Sequence, residues 1–286
     1  MKGNADFVRR TWWRIAPPRP FAVCPYGEVV ASDAFIFLEA LRDACADIVF
    51  LDPPFNLGKR YGRKGNNADR LRDDEYFGFM SRVLGESVRI LKEGGALYLY
   101  HIPRWAFRFA PVISETLQFR HWIAISMKNG FVRQNYLYPA HYALLYFTKG
   151  QPASFKRPKI APATCPRCQS YVKDYGGYKR FIQAGINLSD VWDDLSPVRH
   201  RKYKHRKANE LPLEIPRRAI EISGRPSGLL VDPFAGSGST LVAGLEVGMF
   251  FAACDRERGS CSRIAKRILK AISSLKEKEG ESNARQ

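Results

Sequence analysis

The sequence predicts an α/β fold, a mostly parallel sheet with helices on both faces, and three observations point to it. The segment Asp47-Ile-Val-Phe-Leu51 is a short apolar run that stops at two prolines, as a fully buried parallel strand does. The segment Val231-Asp-Pro-Phe-Ala-Gly-Ser-Gly-Ser-Thr240 places a glycine-rich turn between an apolar run and a helical one. Strand-like and helix-like spacing also alternate through most of the 286 residues, the pattern that builds a parallel sheet.

Taken in order, the elements read as follows. Phe35 to Ala44 has helical spacing at Phe35, Leu38 and Leu41 and leads into the strand at 47–51. Tyr76 to Leu91 repeats apolar residues at helical spacing, and Gly94-Gly95 is the expected terminator. Ala96 to Tyr100 is the next strand, and Trp122 to Met127 and Tyr142 to Thr148 carry the aromatic and β-branched content of two more. Residues 151–210 hold thirteen Lys or Arg against five Asp or Glu with little periodicity, which predicts an irregular insertion rather than a layer of the sheet. Regular structure returns with a helix over Leu213 to Ile222, a strand over Gly228 to Val231, a helix over Ser239 to Val247 and a strand over Met249 to Cys254. An amphipathic helix over Cys261 to Leu275 follows, with a frayed tail from Lys276. The domain reading is an N-terminal extension at 1–27, one half of the α/β domain at 28–150, the basic insertion at 151–210, the second half at 211–275 and the tail at 276–286.

Composition narrows the functional classes. Hydrophobic residues make up 45% of the chain, enough for a substantial core, and the formal net charge is +18. Such an excess favours a polyanionic partner, because clustered cations gain free energy by displacing counterions from phosphates. Met1 to Arg10 is polar, and no run of about 18 apolar residues occurs, so neither a signal peptide nor a membrane span is expected. Six scattered cysteines are too few for a disulfide scaffold and suit a cytoplasmic, reduced protein. Cys165-Pro-Arg-Cys168 is a single C-x-x-C pair. A structural zinc site needs four ligands, and His200 and His205 are distant in sequence, so no metal is expected there.

The glycine turn has the architecture of a nucleoside-ligand site. Gly236 and Gly238 allow close backbone approach to a ligand, and the flanking residues Asp232, Pro233, Phe234, Ala235, Ser237, Ser239 and Thr240 complete the candidate cradle. No lysine lies in the turn, which excludes a P-loop. Asp255 ends the following strand, where an acid accepts hydrogen bonds from ribose hydroxyls in dinucleotide folds. Both NAD and S-adenosylmethionine fit these features.

Asp52-Pro53-Pro54-Phe55 separates the two. It stands at the carboxyl end of the 47–51 strand, where open α/β sheets place their ligands. Methylation of an aromatic amine needs acceptors at both N–H groups, so that the delocalised lone pair turns toward the methyl donor. Asp52 supplies one acceptor and the Pro53 carbonyl the other, in a turn that two prolines hold before substrate arrives. Phe55 offers a face for an extruded base. A sulfonium donor is already activated, so the chemistry needs no metal.

With these motifs in place, the sequence resembles a bacterial DNA amino-methyltransferase of the permuted beta group over roughly residues 28 to 270. The resemblance rests on the Asp52-Pro-Pro-Phe-Asn-Leu-Gly58 run, Arg89-Ile-Leu-Lys-Glu-Gly-Gly95, Asp190-Val-Trp192 and Asp232-Pro-Phe-Ala-Gly-Ser-Gly238, with the catalytic motif ahead of the cofactor motif. It implies a Rossmann-like S-adenosylmethionine-dependent methyltransferase fold with circularly permuted motif order. It also implies a cofactor role for Asp33 and a place for Phe234 near the cofactor adenine. The family's H-P-T-x-K-P element stands here as His205-Arg-Lys-Ala-Asn-Glu-Leu-Pro212, and its commoner Tyr is Phe55. An Asp heading the motif is typical of adenine-N6 enzymes and a Ser of cytosine-N4 enzymes, so the resemblance favours adenine over cytosine.

Double-stranded DNA is the expected partner. Arg199, Arg201, Lys202, Lys204, Arg206 and Lys207 surround Tyr203 in one run suited to phosphate contacts, with Lys128 and Arg133 in a second polar stretch beside Asn129, Gln134 and Asn135. A homodimer and a cognate restriction endonuclease are partners that the resemblance leaves open. RNA or protein-amide methylation and a non-catalytic DNA-binding subunit are the competing readings. Trp12-Trp13 is expected to pack on the core, and His101, His121 and His141 receive no chemistry.

Overall fold

The computed structural model describes residues 12–15, 20–57, 71–126, 134–135, 137–173, 182–195 and 210–284. Its elements are the strands β1 (Pro20–Cys24), β2 (Gly27–Ala31), β3 (Ala46–Leu51), β4 (Leu91–His101), β5 (Gln118–Ser126), β6 (His141–Thr148), β7 (Lys159–Ile160), β8 (Ile186–Asn187), β9 (Val191–Trp192), β10 (Leu229–Asp232) and β11 (Phe250–Asp255). The helices are α1 (Ala34–Ala40), α2 (Asp73–Ile90), α3 (Pro103–Ser114), α4 (Glu214–Ser223), α5 (Ser239–Glu246) and α6 (Arg258–Ala284).

Nine strands form one sheet in the order β1-β2-β11-β10-β3-β4-β6-β5-β9. The five central strands β2, β11, β10, β3 and β4 are mutually parallel, whereas β6 runs antiparallel to β4 and β5 antiparallel to β6. Because side chains alternate along a strand, each buried strand feeds two cores. Val49, Leu51, Leu97, Leu99, Val231 and Cys254 face α1, α2 and α3, together with the buried Trp12 and Trp13. Ile48, Phe50, Tyr98, Leu230 and Phe251 face α4, α5 and α6. The expected two-faced α/β sheet is therefore present, with an antiparallel edge that apolar runs alone could not announce.

Four local differences have physical causes. Helix α2 ends at Ile90 rather than at Gly94-Gly95, because the Lys149 ammonium reaches the carbonyls of Val88 and Leu91 at 3.1 and 3.0 Å and closes the helix there. Leu91 then pairs with Ala46, and the two glycines lie inside β4. Helix α1 stops at Ala40 instead of reaching Ala44: Arg89 takes the carbonyls of Leu38 and Leu41 at 2.9 Å each, and Leu41 bridges to Trp13. Helix α6 runs on to Ala284, since the Lys-Glu-Lys-Glu stretch after Leu275 is made of good helix formers. Within the basic segment Val191–Trp192 joins the sheet edge beside Ala124 and Ile125, so the segment is not wholly outside the sheet.

Patterning misses the β1–β2 hairpin and α3 altogether. The hairpin is pinned by a close approach at Gly27, where a Cβ would meet the Phe251 carbonyl oxygen at 2.0 Å. That contact is what lets β2 dock in register on β11.

Candidate active site

The sheet brings the two singled-out turns together from opposite ends of the chain. β10 pairs with β3 in parallel, Leu230 opposite Ile48 and Val231 opposite Val49, so Asp232 and Asp52 emerge at the same edge. β3 continues through α2 to β4 on one face, while β10 continues through α5 to β11 on the other. The chain thus winds in opposite directions from β3 and β10, which opens a crevice between their carboxyl ends.

Four carboxylates stand at the carboxyl ends of the four adjacent strands β2, β11, β10 and β3: Asp33, Asp255, Asp232 and Asp52. Asp33 caps α1 by accepting the Phe35 N–H at 2.9 Å. Asp255 braces the glycine turn, accepting the Gly236 N–H at 3.0 Å and the Glu257 N–H at 2.8 Å. Asp232 accepts the Phe234 N–H at 2.9 Å and is 1% exposed. Burial above all, with repulsion from Asp52 and Asp255 added, pushes its carboxyl up to about 7 against the hydrogen bonds from Phe234 and Thr240.

The turn itself is built from left-handed glycines. Gly236 has φ 51° and Gly238 φ 77°, and Gly238 forms the N-terminal cap of α5. The Gly238 N–H donates to the Ala235 carbonyl at 2.6 Å, and the Ala235 N–H to Cys254 at 2.9 Å. Ser237, Ser239 and Thr240 are buried, and Pro233 is too. Arg267 of α6 locks the turn from outside, donating to the Ser237 carbonyl at 3.0 Å, Ser239 Oγ at 3.2 Å and Glu210 Oε1 at 3.2 Å. Phe234 packs edge-on against Phe79 of α2.

Around the proline turn lies an aromatic wall that sequence patterning missed. Phe55, 7% exposed, contacts Tyr100, Tyr142 and His101 with ring centroids 5.8, 5.7 and 4.8 Å away. Burial, then Tyr142 and Asp52, raise the Tyr100 hydroxyl well above its ordinary value, and burial with Asp52 raises that of Tyr142. Both tyrosines therefore sit within the field of the Asp52 carboxylate. The signal for them was weak: Tyr100 closes one expected strand and Tyr142 opens another, and only the antiparallel β4–β6 pairing joins them.

The expected DNA contacts Lys128, Arg133, Arg199, Arg201, Lys202, Tyr203, Lys204, Arg206 and Lys207 lie outside the described residues, as do His200 and His205. Cys165 and Cys168 lie in a turn closed by the Cys165 N–H donating to Ser170. Hydrogen bonding to Ser170 and Cys165 lowers the Cys168 thiol to about 7. Among the described residues no three His, Cys, Asp or Glu side chains are grouped to hold a metal, and no helix is long and apolar enough to cross a membrane.

Comparison with known proteins agrees with this geometry. A family profile described as DNA methylase matches residues 46–267. The Type II methyltransferase M.BamHI of Bacillus amyloliquefaciens is 37% identical over 252 residues, 87% of this chain and 59% of that protein. The Type II methyltransferase M.HpaI of Haemophilus parainfluenzae is 29% identical over 215 residues, 74% of this chain and 64% of that one. The chain spans about three fifths of the length of these two relatives. Among solved structures, the cytosine-N4-specific PvuII DNA methyltransferase superposes with a TM-score of 0.60 at 14% identity, over 90% of this chain and 94% of that one. The M1.HpyAVI–SAM complex superposes with a TM-score of 0.58 at 17% identity, over 85% and 98%. At these identities the likeness is one of fold, the Rossmann-like methyltransferase sheet.

Proposed function

The chain belongs to the N6/N4 DNA methylase family, and on that footing we propose that it transfers a methyl group from S-adenosylmethionine to an exocyclic amino group of a base in duplex DNA. The observation that carries the proposal is the β3–β10 register, which sets Asp52-Pro-Pro-Phe55 and the Gly236–Gly238 turn on one crevice. The base is proposed as adenine, acting at N6, on the strength of the Asp that heads the motif. Cytosine N4 presents the same amine beside a ring nitrogen and is the alternative that the product analysis decides.

The crevice suits the cofactor on its own chemistry. Asp52 and Asp255 both repel Asp232, which burial already makes reluctant to ionise, so a ligand bearing a cation and ribose hydroxyls relieves the repulsion and meets acceptors. Asp33, Asp232 and Asp255 with the backbone from Pro233 to Thr240 would hold it. When bound, it supplies a methyl group activated by the sulfonium charge. Asp52 and the Pro53 carbonyl accept the two amine N–H bonds, holding the nitrogen lone pair on line, and Phe55 with Tyr142 gives the base an aromatic wall. A base reaches this depth only when flipped from the duplex, which costs a few kcal/mol. Phosphate contacts from the basic run Arg199–Lys207 offset that cost in this reading. The relatives' designation as Type II methyltransferases supports a restriction–modification setting with a cognate endonuclease.

The test is transfer of labelled methyl from S-adenosylmethionine to duplex DNA, followed by nucleoside mass spectrometry. N6-methyladenine is the expected product, N4-methylcytosine would replace adenine by cytosine, and Asp52→Ala is expected to lower kcat by about a hundredfold or more. Methylated RNA or protein with unmodified DNA would refute the substrate. Binding of duplex DNA with no binding of S-adenosylmethionine by calorimetry would instead favour a non-catalytic DNA-binding subunit.

A further inference from the structure

Behind the proline turn lies a buried relay from three separate elements. The Ile102 N–H donates to His101 Nδ1 at 2.8 Å, so that nitrogen is an acceptor and the ring proton sits on Nε2. His101 Nε2 is 2.8 Å from the Tyr76 hydroxyl, and the tautomer makes the histidine the donor. The hydroxyl proton is then free to point elsewhere, and it donates to the Pro54 carbonyl at 2.5 Å. The histidine ring also lies against Phe55, centroids 4.8 Å apart with 31° between planes. His101 is wholly buried and Tyr76 nearly so, with Trp105 and Phe109 of α3 closing the back of the pair.

We propose that Tyr76 and His101 are positioning residues for methyl transfer: the relay fixes the Pro54 carbonyl and the Phe55 ring, and through them the acceptors at Asp52 and Pro53. A proline fixes its own φ and restricts the ψ of the residue before it, so Asp52 and Pro53 are held by the prolines that follow them, whereas the ψ of Pro54, and with it the direction of its carbonyl, is left for another group to set. Rotating the Pro54 carbonyl gives up its hydrogen bond from the Tyr76 hydroxyl, which His101 holds in place, and that loss resists the rotation. Phe55 is clamped by the same histidine, so one side chain sets both the direction of the turn and the plane of the stacking ring. Burial keeps His101 neutral, its basicity pushed down to about 3, which preserves the tautomer that the relay needs across the working pH range. His101 thus acts at a distance from the amine and takes no proton from it.

This inference rests on the reading of Asp52-Pro-Pro-Phe55 as the catalytic turn, and the experiment separates the two. Steady-state methylation of duplex DNA is measured for wild type, Tyr76→Phe, His101→Gln and His101→Leu, alongside cofactor affinity by calorimetry and thermal melting. Tyr76→Phe removes a single oxygen and is expected to lower kcat about tenfold, while the cofactor Kd stays within about twofold, because only the reacting geometry is disturbed. His101→Gln retains an N–H donor toward Tyr76 and is expected to recover several-fold more kcat than His101→Leu at similar melting temperature. Tyr76→Phe with wild-type kcat would overturn the role, as would a kcat loss matched by the fraction unfolded or equal losses for Gln and Leu. A wild-type chain that binds cofactor and methylates no DNA would overturn the enzymatic reading and this role with it.

Discussion

Asp232→Asn is the substitution whose effect the structure specifies most closely. The carboxyl is buried, its ordinary value of 3.8 is pushed up to about 7, and burial is the first cause, with Asp52 and Asp255 adding repulsion. A folded-state value above the unfolded one means that the neutral form favours the fold. That contribution is complete below the unfolded value near 4 and is lost as pH rises through about 7. At roughly 1.36 kcal/mol per pH unit the full loss has a ceiling of about 4 kcal/mol. Between pH 5 and 8 it amounts to about 3 kcal/mol. Asparagine is neutral throughout, so ligand-free Asp232→Asn should gain on wild type by up to that much as pH rises from 5 to 8. For a chain of this size that corresponds to about 6 °C in melting temperature. The fixed cost of placing an amide N–H₂ in the pocket lowers both ends of the curve equally and leaves the slope intact. Thermal melts at half-unit pH intervals measure it. Parallel curves for the two ligand-free proteins would refute a buried, repelled carboxylate at Asp232.

Two further substitutions probe the scaffold. Gly27→Ala forces a Cβ to within 2.0 Å of the Phe251 carbonyl oxygen, which is backbone and cannot swing away. Separation of β2 from β11 should then cost about 3 kcal/mol in a urea titration. Asp47→Ala removes a carboxylate that takes the buried Leu229 N–H at 2.8 Å, Lys92 Nζ at 2.7 Å and Arg225 Nη2 at 2.6 Å. Lys92 and Arg225 are both partly exposed and keep access to water, so the expected loss of about 2 kcal/mol comes mainly from the stranded N–H. Burial would raise the Asp47 carboxyl, and the hydrogen bonds from Lys92, Leu229 and Arg225 outweigh it and hold the group below its ordinary value. Its contribution is therefore present above pH 4 and fades as pH falls, so urea titrations at pH 7 and pH 3 should show the deficit of Asp47→Ala shrinking.

How much of this was legible in the sequence depends on how far apart the interacting groups lie. β3 with its proline turn, and the β10 turn with α5 and β11, were readable because each encodes its conformation locally: a buried run, fixed φ at proline, left-handed glycine, then a helix. Helix ends were misplaced where a distant cation decided them, as Lys149 does for α2 and Arg89 for α1. Helix α3 escaped notice because Pro103 and Pro111 interrupt its pattern, although a proline in the first turn is a good start signal. The β1–β2 hairpin turns at Pro25 and Tyr26, which lack the usual Asn-Gly or Asp-Gly signature.

His101 shows where local reading ends. On sequence it is one polar residue closing an apolar strand, and such a histidine is ordinarily a satisfied core residue. Its partner Tyr76 lies twenty-five positions earlier on a helix, and Pro54 lies another twenty-two before that. No spacing rule connects a strand end, a helix start and a turn, because their meeting depends on how α2 packs over β3 and β4. Asp52, by contrast, announces itself through the two prolines beside it. The group proposed to do the chemistry was readable because its conformation is local, whereas the groups proposed to aim it are spread across elements that only the fold brings together. A substitution at Asp52 and one at Tyr76 should therefore differ in kind: the first removes an acceptor outright, and the second leaves every acceptor in place while loosening the direction in which it points.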